Sequence, residues 1–227
     1  MAKSGASSKL RQPGDGGSAD TRRVLVDAAI ETLKADGFAG ASARAIAARA
    51  GCNQGLVFYH FGSVVNLLLA ALDKVSADRL EHYSAAVDRV TSPTELIDVA
   101  AAIFGEDLDA GHVTVLVEMI AGASSTPGLG LEVAARIAPW TQFAQAATQA
   151  ALGGSALDSV IPPSTVARGV VALYLGLEML THLDGDRAPA LELFDRAKEL
   201  ASLFQALAGG PRAGLPTEVE TMSKEGS

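Results

Sequence analysis

Ala47, Gly51 and Val57 stand at the spacing Ala-x3-Gly-x5-Val, which specifies two short helices across a tight turn. The small alanine lets the helices cross closely. The glycine takes the positive φ the turn needs, and the valine packs the second helix onto the first. The pair lies in a stretch, Gly37 to Leu72, that holds no Asp or Glu in a chain of formal net charge −8. A surface free of carboxylates can approach a polyanion, and a helix-turn-helix presents one rigid helix to a DNA groove.

Charge distribution sharpens the point. Residues 1–70 carry 8 Lys/Arg and 5 Asp/Glu, and residues 71–227 carry 10 and 21. The N-terminal part is mildly basic and the remainder strongly acidic, as expected if only the first part faces a phosphate backbone. Phosphate contacts per subunit are then few, and binding depends on salt. With 227 residues, 48% of them hydrophobic and dominated by Ala and Leu, the chain has material for a sizeable core and favours helix over strand. No apolar stretch of membrane-spanning length is free of a charge or a helix breaker. The N-terminus lacks the apolar run of a secretion signal, so a cytoplasmic location is expected and no membrane partner. The single cysteine, Cys52, fits a reducing compartment and reads as a small packing residue rather than a redox sensor.

Residues 1–19 and 210–227 are polar and Gly/Ser- or Pro/Gly-bearing and read as disordered tails. Between them the punctuation sets out an all-α chain. A first helix begins near Asp20 or Thr21 and closes at Gly37, with Phe38 anchoring the loop. Ser42 caps a second helix, Ala43 to Ala50. A third runs from about Asn53 to Tyr59, with Val57, Phe58 and Phe61 as core. Ser63 caps a long fourth helix reaching about Val90. After Thr91-Ser92-Pro93 come a fifth helix to Phe104, an acidic loop Glu106-Asp107, and a sixth from Ala110 to Ala123. The seventh spans Leu129 to Leu152 with Pro139 inside it and Gly153-Gly154 after it. Ser164 caps the eighth, Thr165 to Leu183, and the ninth covers Leu191 to Ala208.

The helix-one ending Asp36-Gly37-Phe38, then Ser42-x-Arg44-x-Ile46-Ala47-x-x-Ala50-Gly51, then Gly55-x-Val57-Phe58-Tyr59-His60-Phe61-x-Ser63 and Leu67-Leu68 follow in order. Residues 21–69 thereby resemble the DNA-binding domain of the TetR/AcrR family of transcriptional regulators. The resemblance implies a helix-turn-helix domain over residues 20–66 and a helical ligand-binding and dimerisation domain over residues 67–209. It puts Asn53, Gln54, Leu56 and Tyr59 on or near the recognition face, with Asn53 and Gln54 able to pair with adenine and Leu56 with a thymine methyl. Tyr59 and His60 match the family's phosphate-contacting aromatic pair, and Ser42 and Arg44 are further backbone or groove contacts. The family carries Lys near Gln54 and near Val64; this chain does not, which predicts weaker nonspecific binding and a shallower salt dependence.

A helix-turn-helix reads one half-site, so a palindrome calls for a homodimer. The eighth and ninth helices are apolar over more surface than one core needs. Gly169, Ala172 and Gly176 permit close approach, and Leu180, Phe194 and Phe204 complete the expected interface. Polar residues stranded among apolar ones mark the expected small-molecule site: His112, Glu118, Trp140, Tyr174, Glu178 and His182. Glu178 and His182 are one turn apart and read as an ion pair or ligand contacts; with no third ligand nearby, no metal is expected. A mainly apolar inducer suits such a lining.

No Gly-rich phosphate loop with Lys, no Cys/His cluster and no G-x-S-x-G is present, so neither catalytic residues nor a cofactor is expected. The expected function is a ligand-responsive regulator, a repressor in most of the family, that binds double-stranded DNA as a homodimer. The alternatives are a helical adaptor protein and a DNA-binding dimer without a small ligand.

Overall fold

The computed structural model describes residues 16–152 and 161–208. Among these, nine α-helices occur and no strand. They are α1 (Gly16–Gly40), α2 (Ala43–Arg49), α3 (Gly55–Phe61), α4 (Val64–Val87), α5 (Pro93–Ala110), α6 (His112–Ala123), α7 (Leu129–Leu152), α8 (Pro163–Asp184) and α9 (Ala188–Ala208). The fold is all-α, as the composition implies.

Local chemistry explains most boundaries. Helix starts leave N–H groups without partners, and a side-chain oxygen can take one. Ser42, Ser63 and Ser92 do this for Ala45, Asn66 and Glu95. At α5 the cap is reciprocal, because the Glu95 carboxylate accepts from both the N–H and the hydroxyl of Thr91. Glycines at positive φ stop α3 at Gly62 and α5 at Gly111.

Several boundaries differ from the sequence reading. Helix α1 starts at Gly16, inside the expected tail, and Thr21 lies within it with its hydroxyl donating to Gly17 O. Helix α3 is displaced two residues, because Asn53 Oδ1 accepts the Gly55 N–H at 2.8 Å and caps the turn before it. Glu106-Asp107 is no loop: α5 runs through it to Ala110, and Asp107 is wholly buried. Ser164 is not a cap; α8 opens on Pro162-Pro163 without a side-chain hydrogen bond. Gly153-Gly154 and the terminal tails, from 1 to 15 and from 209 onward, lie outside the described residues.

One apolar cluster ties the N-terminal unit to the body. It joins Leu25, Ala29 and Leu33 of α1 to Ile46 and Ala47 of α2, Val57 and Phe61 of α3, and Leu67 and Leu68 of α4. It continues without a break into Val115 and Met119 of α6 and Leu129 and Val133 of α7. Helix α1 accordingly packs on α2, α4 and α6, while α7 lies along α8 and α5 along α9.

The joint between α1 and α2 is closely fitted to α6. Gly37 breaks α1 at φ 69°, ψ −179°, a conformation that suits glycine. A Cβ at that position would stand 2.9 Å from Glu118 Oε2, which accepts the Phe38 N–H at 2.8 Å. The Phe38 ring lies so close over Gly122 that a Cβ there would be 2.4 Å from it.

Candidate nucleic-acid interface and internal cavity

Helices α2 and α3 leave one polar face uncovered. Arg44, Asn53, Gln54 and Tyr59 are exposed, Tyr59 to 78%. Arg49 pairs with Asp36, whereas Arg44 has no ion pair within the described residues. Ser42 and Asn53 have their side-chain oxygens engaged as caps. Leu56 is half-buried against the core, and His60 is half-buried with its ring 4.9 Å from that of Tyr59. Phe58, expected in the core, is instead 52% exposed beside Tyr59. Val57 and Phe61 point inward one turn apart, which turns Phe58 outward, and that spacing was readable. Of the two helix-one arginines, Arg22 covers the Phe61 ring and Arg23 bridges Asp20 and Asp27.

The body encloses a cavity of about 110 Å³. Its walls are apolar, with Val99 and Ile103 from α5, Leu116 from α6, and Phe143 and Ala144 from α7. Helix α8 adds Val170 and Tyr174.

One end of the cavity is a buried polar cluster. Asp107 accepts from Arg79 Nη2, from the Tyr83 hydroxyl at 3.0 Å and from the Tyr174 hydroxyl at 3.0 Å. His112 Nδ1 lies 3.3 Å from the same carboxylate. The Arg79 guanidinium stacks over Trp140, whose indole N–H donates to Ser76 Oγ at 2.7 Å. Glu178, 1% exposed, completes the cluster. Its Oε1 lies 3.5 Å from Arg79 Nη2 but has no hydrogen-bond partner, and neither has Arg79 Nε.

Burial sets the electrostatics. It pushes the Glu178 carboxyl up to about 8, against the pull of Arg79 and with the help of Asp107. Burial beside these carboxylates also holds both the Tyr83 and Tyr174 hydroxyls well above the usual phenol range. Arg79 is pressed down by desolvation, yet Asp107 and Glu178 outweigh this and its affinity for its proton rises. The Glu178 carboxyl therefore tends to hold its proton at neutral pH, beside the Arg79–Asp107 contact.

The stranded polar residues of the sequence therefore part company. Trp140, Tyr174 and Glu178 line the cavity. His112 stands behind it on Asp107, and Glu118 serves the α1–α2 joint. Glu178 points inward while His182 is exposed, so the two form no pair. Sequence reading missed Arg79 and Asp107, which look like ordinary members of charged surface runs.

On α8 and α9 a broad apolar face lies open. Leu173, Leu180, Leu183, Leu200 and Leu203 are each more than half exposed. Gly169 and Gly176 have no side chain against them. Ala172 is exposed, Phe204 is half-buried, and Phe194 turns inward with its ring 5.5 Å from that of Phe104. Helix α8 has the length and apolar content to cross a bilayer, but it carries Arg168 and the buried Glu178 and packs along α7.

A helix-turn-helix with an open, carboxylate-free face, mounted on a larger helical body, defines a DNA-binding regulator. Residues 25–71 match the family of bacterial regulatory proteins, tetR family. Among solved structures, a TetR-family member from Streptomyces coelicolor A3 is 28% identical with a TM-score of 0.58, over 78% of this chain and 98% of that one. The multidrug binding protein EbrR, solved in complex with imidazole, is 27% identical with a TM-score of 0.57, over 78% and 93%. The fatty acid degradation regulator FadR from Bacillus halodurans shares the fold at 13% identity, with a TM-score of 0.66 over 90% and 99%. No curated protein sequence matches the chain significantly. Residues 25–71 thus carry the DNA-binding domain of the tetR family of bacterial regulatory proteins, and the described chain has the fold of TetR-family structures.

Proposed function

We propose that the protein is a homodimeric, cytoplasmic repressor that binds a palindromic operator through α2 and α3 and is released from it by a small, mainly apolar molecule. One observation carries the reading: α6 serves both ends. Its Leu116 lines the cavity, and one half-turn on, its Glu118 grips the Phe38 N–H at the base of the DNA-facing unit. A molecule that fills the cavity displaces α6 and with it the α1–α2 joint. Two recognition helices held at groove spacing then lose register, and DNA affinity falls by the difference in binding energy between the two states, of order 1–3 kcal/mol or more. The likeness to a multidrug binding protein supports a small-molecule function for the cavity.

The open leucine face of α8 and α9 supports dimerisation, since a patch of this kind is stable in water only when covered. Arg44, Gln54 and Tyr59 are the side chains on the open face best placed to meet DNA. Nuclease protection across the regulator's own genome, repeated with candidate effectors, tests the whole reading. Absence of any protected palindrome at low salt, or effector binding that leaves protection unchanged, would overturn it.

A further inference from the structure

The cavity has a composition that fixes the chemistry of its occupant. Nearly all of its wall is hydrocarbon or aromatic, and the charged side chains in it are Arg79 and Glu178, with Asp107 behind them; the Thr148 hydroxyl is spent on Ala144 O. Within that cluster most hydrogen-bonding atoms are satisfied. Asp107 is saturated by Arg79, Tyr83 and Tyr174, with His112 behind it. Glu178 Oε1 and Arg79 Nε have no partner. A buried polar atom without a hydrogen bond is costly, and here both belong to residues that line the cavity.

The two orphans ask for different head groups. Arg79 Nε wants an acceptor, such as a carboxylate; Glu178 Oε1, once ionised, wants a cationic donor. The charge of the cluster decides between them. One guanidinium faces two carboxylates, so the cluster is balanced only while Glu178 holds a proton. A ligand carboxylate would bring a third negative group beside Asp107 and Glu178. An ammonium instead takes the place of that proton and leaves the cluster neutral. Arg79 repels it little, because its charge is matched by Asp107 and its plane is covered by Trp140. The rings of Tyr174 and Phe143, both in the wall, favour a cation further.

Resting on the reading of this cavity as the effector site, we propose that its ligand is a small lipophilic amine, with the ammonium on Glu178 Oε1 and the hydrocarbon among Val99, Ile103 and Phe143. Size agrees: the cavity of about 110 Å³ is near the ~150 Å³ of an engineered apolar cavity that holds benzene. Because burial holds the Glu178 carboxyl at about 8, amine binding at pH 7 expels the carboxyl proton to solvent, and at pH 9 it expels almost none.

The test uses the full-length protein and four probes of one shape: benzylamine, benzyl alcohol, toluene and benzoate. Calorimetry at pH 7, in buffers of different ionisation enthalpy, reads affinity and proton release together. Benzylamine is expected to bind about tenfold or more tighter than benzyl alcohol, with benzoate weakest and close to one proton released. Glu178→Gln is expected to remove the amine's advantage and the proton release while leaving benzyl alcohol binding near the wild-type value. The wild-type ranking and proton count need no variant and stand if the variant fails to fold. The proposal is overturned if benzoate binds best, if benzylamine binds no better than toluene or not at all at millimolar concentration, or if Glu178→Gln keeps the amine's advantage. Operator retention measured alongside separates the two readings. Benzylamine that binds without releasing DNA sinks the inducer role and keeps the head-group assignment. DNA release by anionic or neutral effectors alone sinks the head-group assignment and keeps the role.

Discussion

Glu118 on α6 accepts the backbone N–H of Phe38 at 2.8 Å, from a position 80 residues further along the chain. It is a hydrogen bond between the body and the α1–α2 joint of the reading unit, and it is charge-assisted and partly buried. Glu118→Ala is expected to lower unfolding free energy by about 1–2 kcal/mol in urea titration. It should also shrink the effector-induced loss of operator affinity by a larger factor than it changes that affinity in the absence of effector. An unchanged ratio of affinities with and without effector would show that the signal travels by another path.

Gly37 and Gly122 make that contact geometrically feasible. Gly37→Ala combines an unfavourable backbone conformation with a Cβ 2.9 Å from Glu118 Oε2, and is expected to cost about 1–3 kcal/mol. Gly122→Ala, which places a methyl 2.4 Å from the Phe38 ring, is expected to cost a similar amount, about 1–3 kcal/mol. Gly51→Ala, with open space around it, serves as a comparison carrying the backbone cost alone. Thermal melts of the three variants should rank Gly51→Ala as the mildest.

On the open face of α2 and α3, Arg44→Ala and Tyr59→Ala are each expected to weaken operator retention by about 1 kcal/mol or more without loss of helicity. Arg44→Ala should also lower the salt slope of binding by about 1, since it removes one phosphate-facing cation. Fluorescence anisotropy against the protected operator, across a salt series, measures both. Full retention of DNA by the double variant would favour the adaptor reading over the regulator.

Stability should fall with pH because of Glu178. Its carboxyl titrates near 8 in the folded chain against 4.5 for the free group, so the folded state holds a proton that the unfolded state has lost. The stabilising contribution is therefore whole below pH 4.5 and is lost progressively as pH climbs through 8. The loss is on the order of a few kcal/mol. Glu178→Gln is expected to flatten this part of the profile and to be the more stable chain at pH 9. Urea unfolding at intervals across the window checks the sign and the size.

Leu180 and Leu173, 61% and 56% exposed on α8, are expected to be covered by a second copy of the chain. Leu180→Glu should shift sedimentation from dimer to monomer and abolish cooperative operator binding, with far-UV circular dichroism largely unchanged. A wild-type chain that sediments as a monomer at micromolar concentration would remove the basis for palindromic recognition.

Features decided by neighbouring residues were legible in the sequence. Ser42, Ser63 and Ser92 cap helices because a hydroxyl reaches an N–H within its own turn, and Gly62 ends one through its own φ; the stop at Gly111 differs from the sequence reading, which runs the sixth helix through it. Ala47, Gly51 and Val57 specify the helix-turn-helix for the same local reason. Asp107 was misread as loop because its burial depends on Arg79, Tyr83 and Tyr174, which lie 28, 24 and 67 positions away. Nothing adjacent to Asp107 announces them. Glu118 sits on the α1–α2 joint and not in the cavity for a kindred reason: a polar side chain on an apolar helix signals a demand for a partner, but not on which side that partner lies. Phe58 is different. Its outward position follows from Val57 and Phe61 by helical period.

The apolar cluster that runs from Leu25 to Val133 without a seam has a consequence for how the molecule comes apart. Helices α6 and α7 roof α1 and α4, so a chain severed after α4 would expose raw hydrocarbon where that roof had been. The reading head is no detachable cartridge. Heat is expected to undo head and body in a single calorimetric transition, and any hybrid grafted from this protein must bring its own roof along.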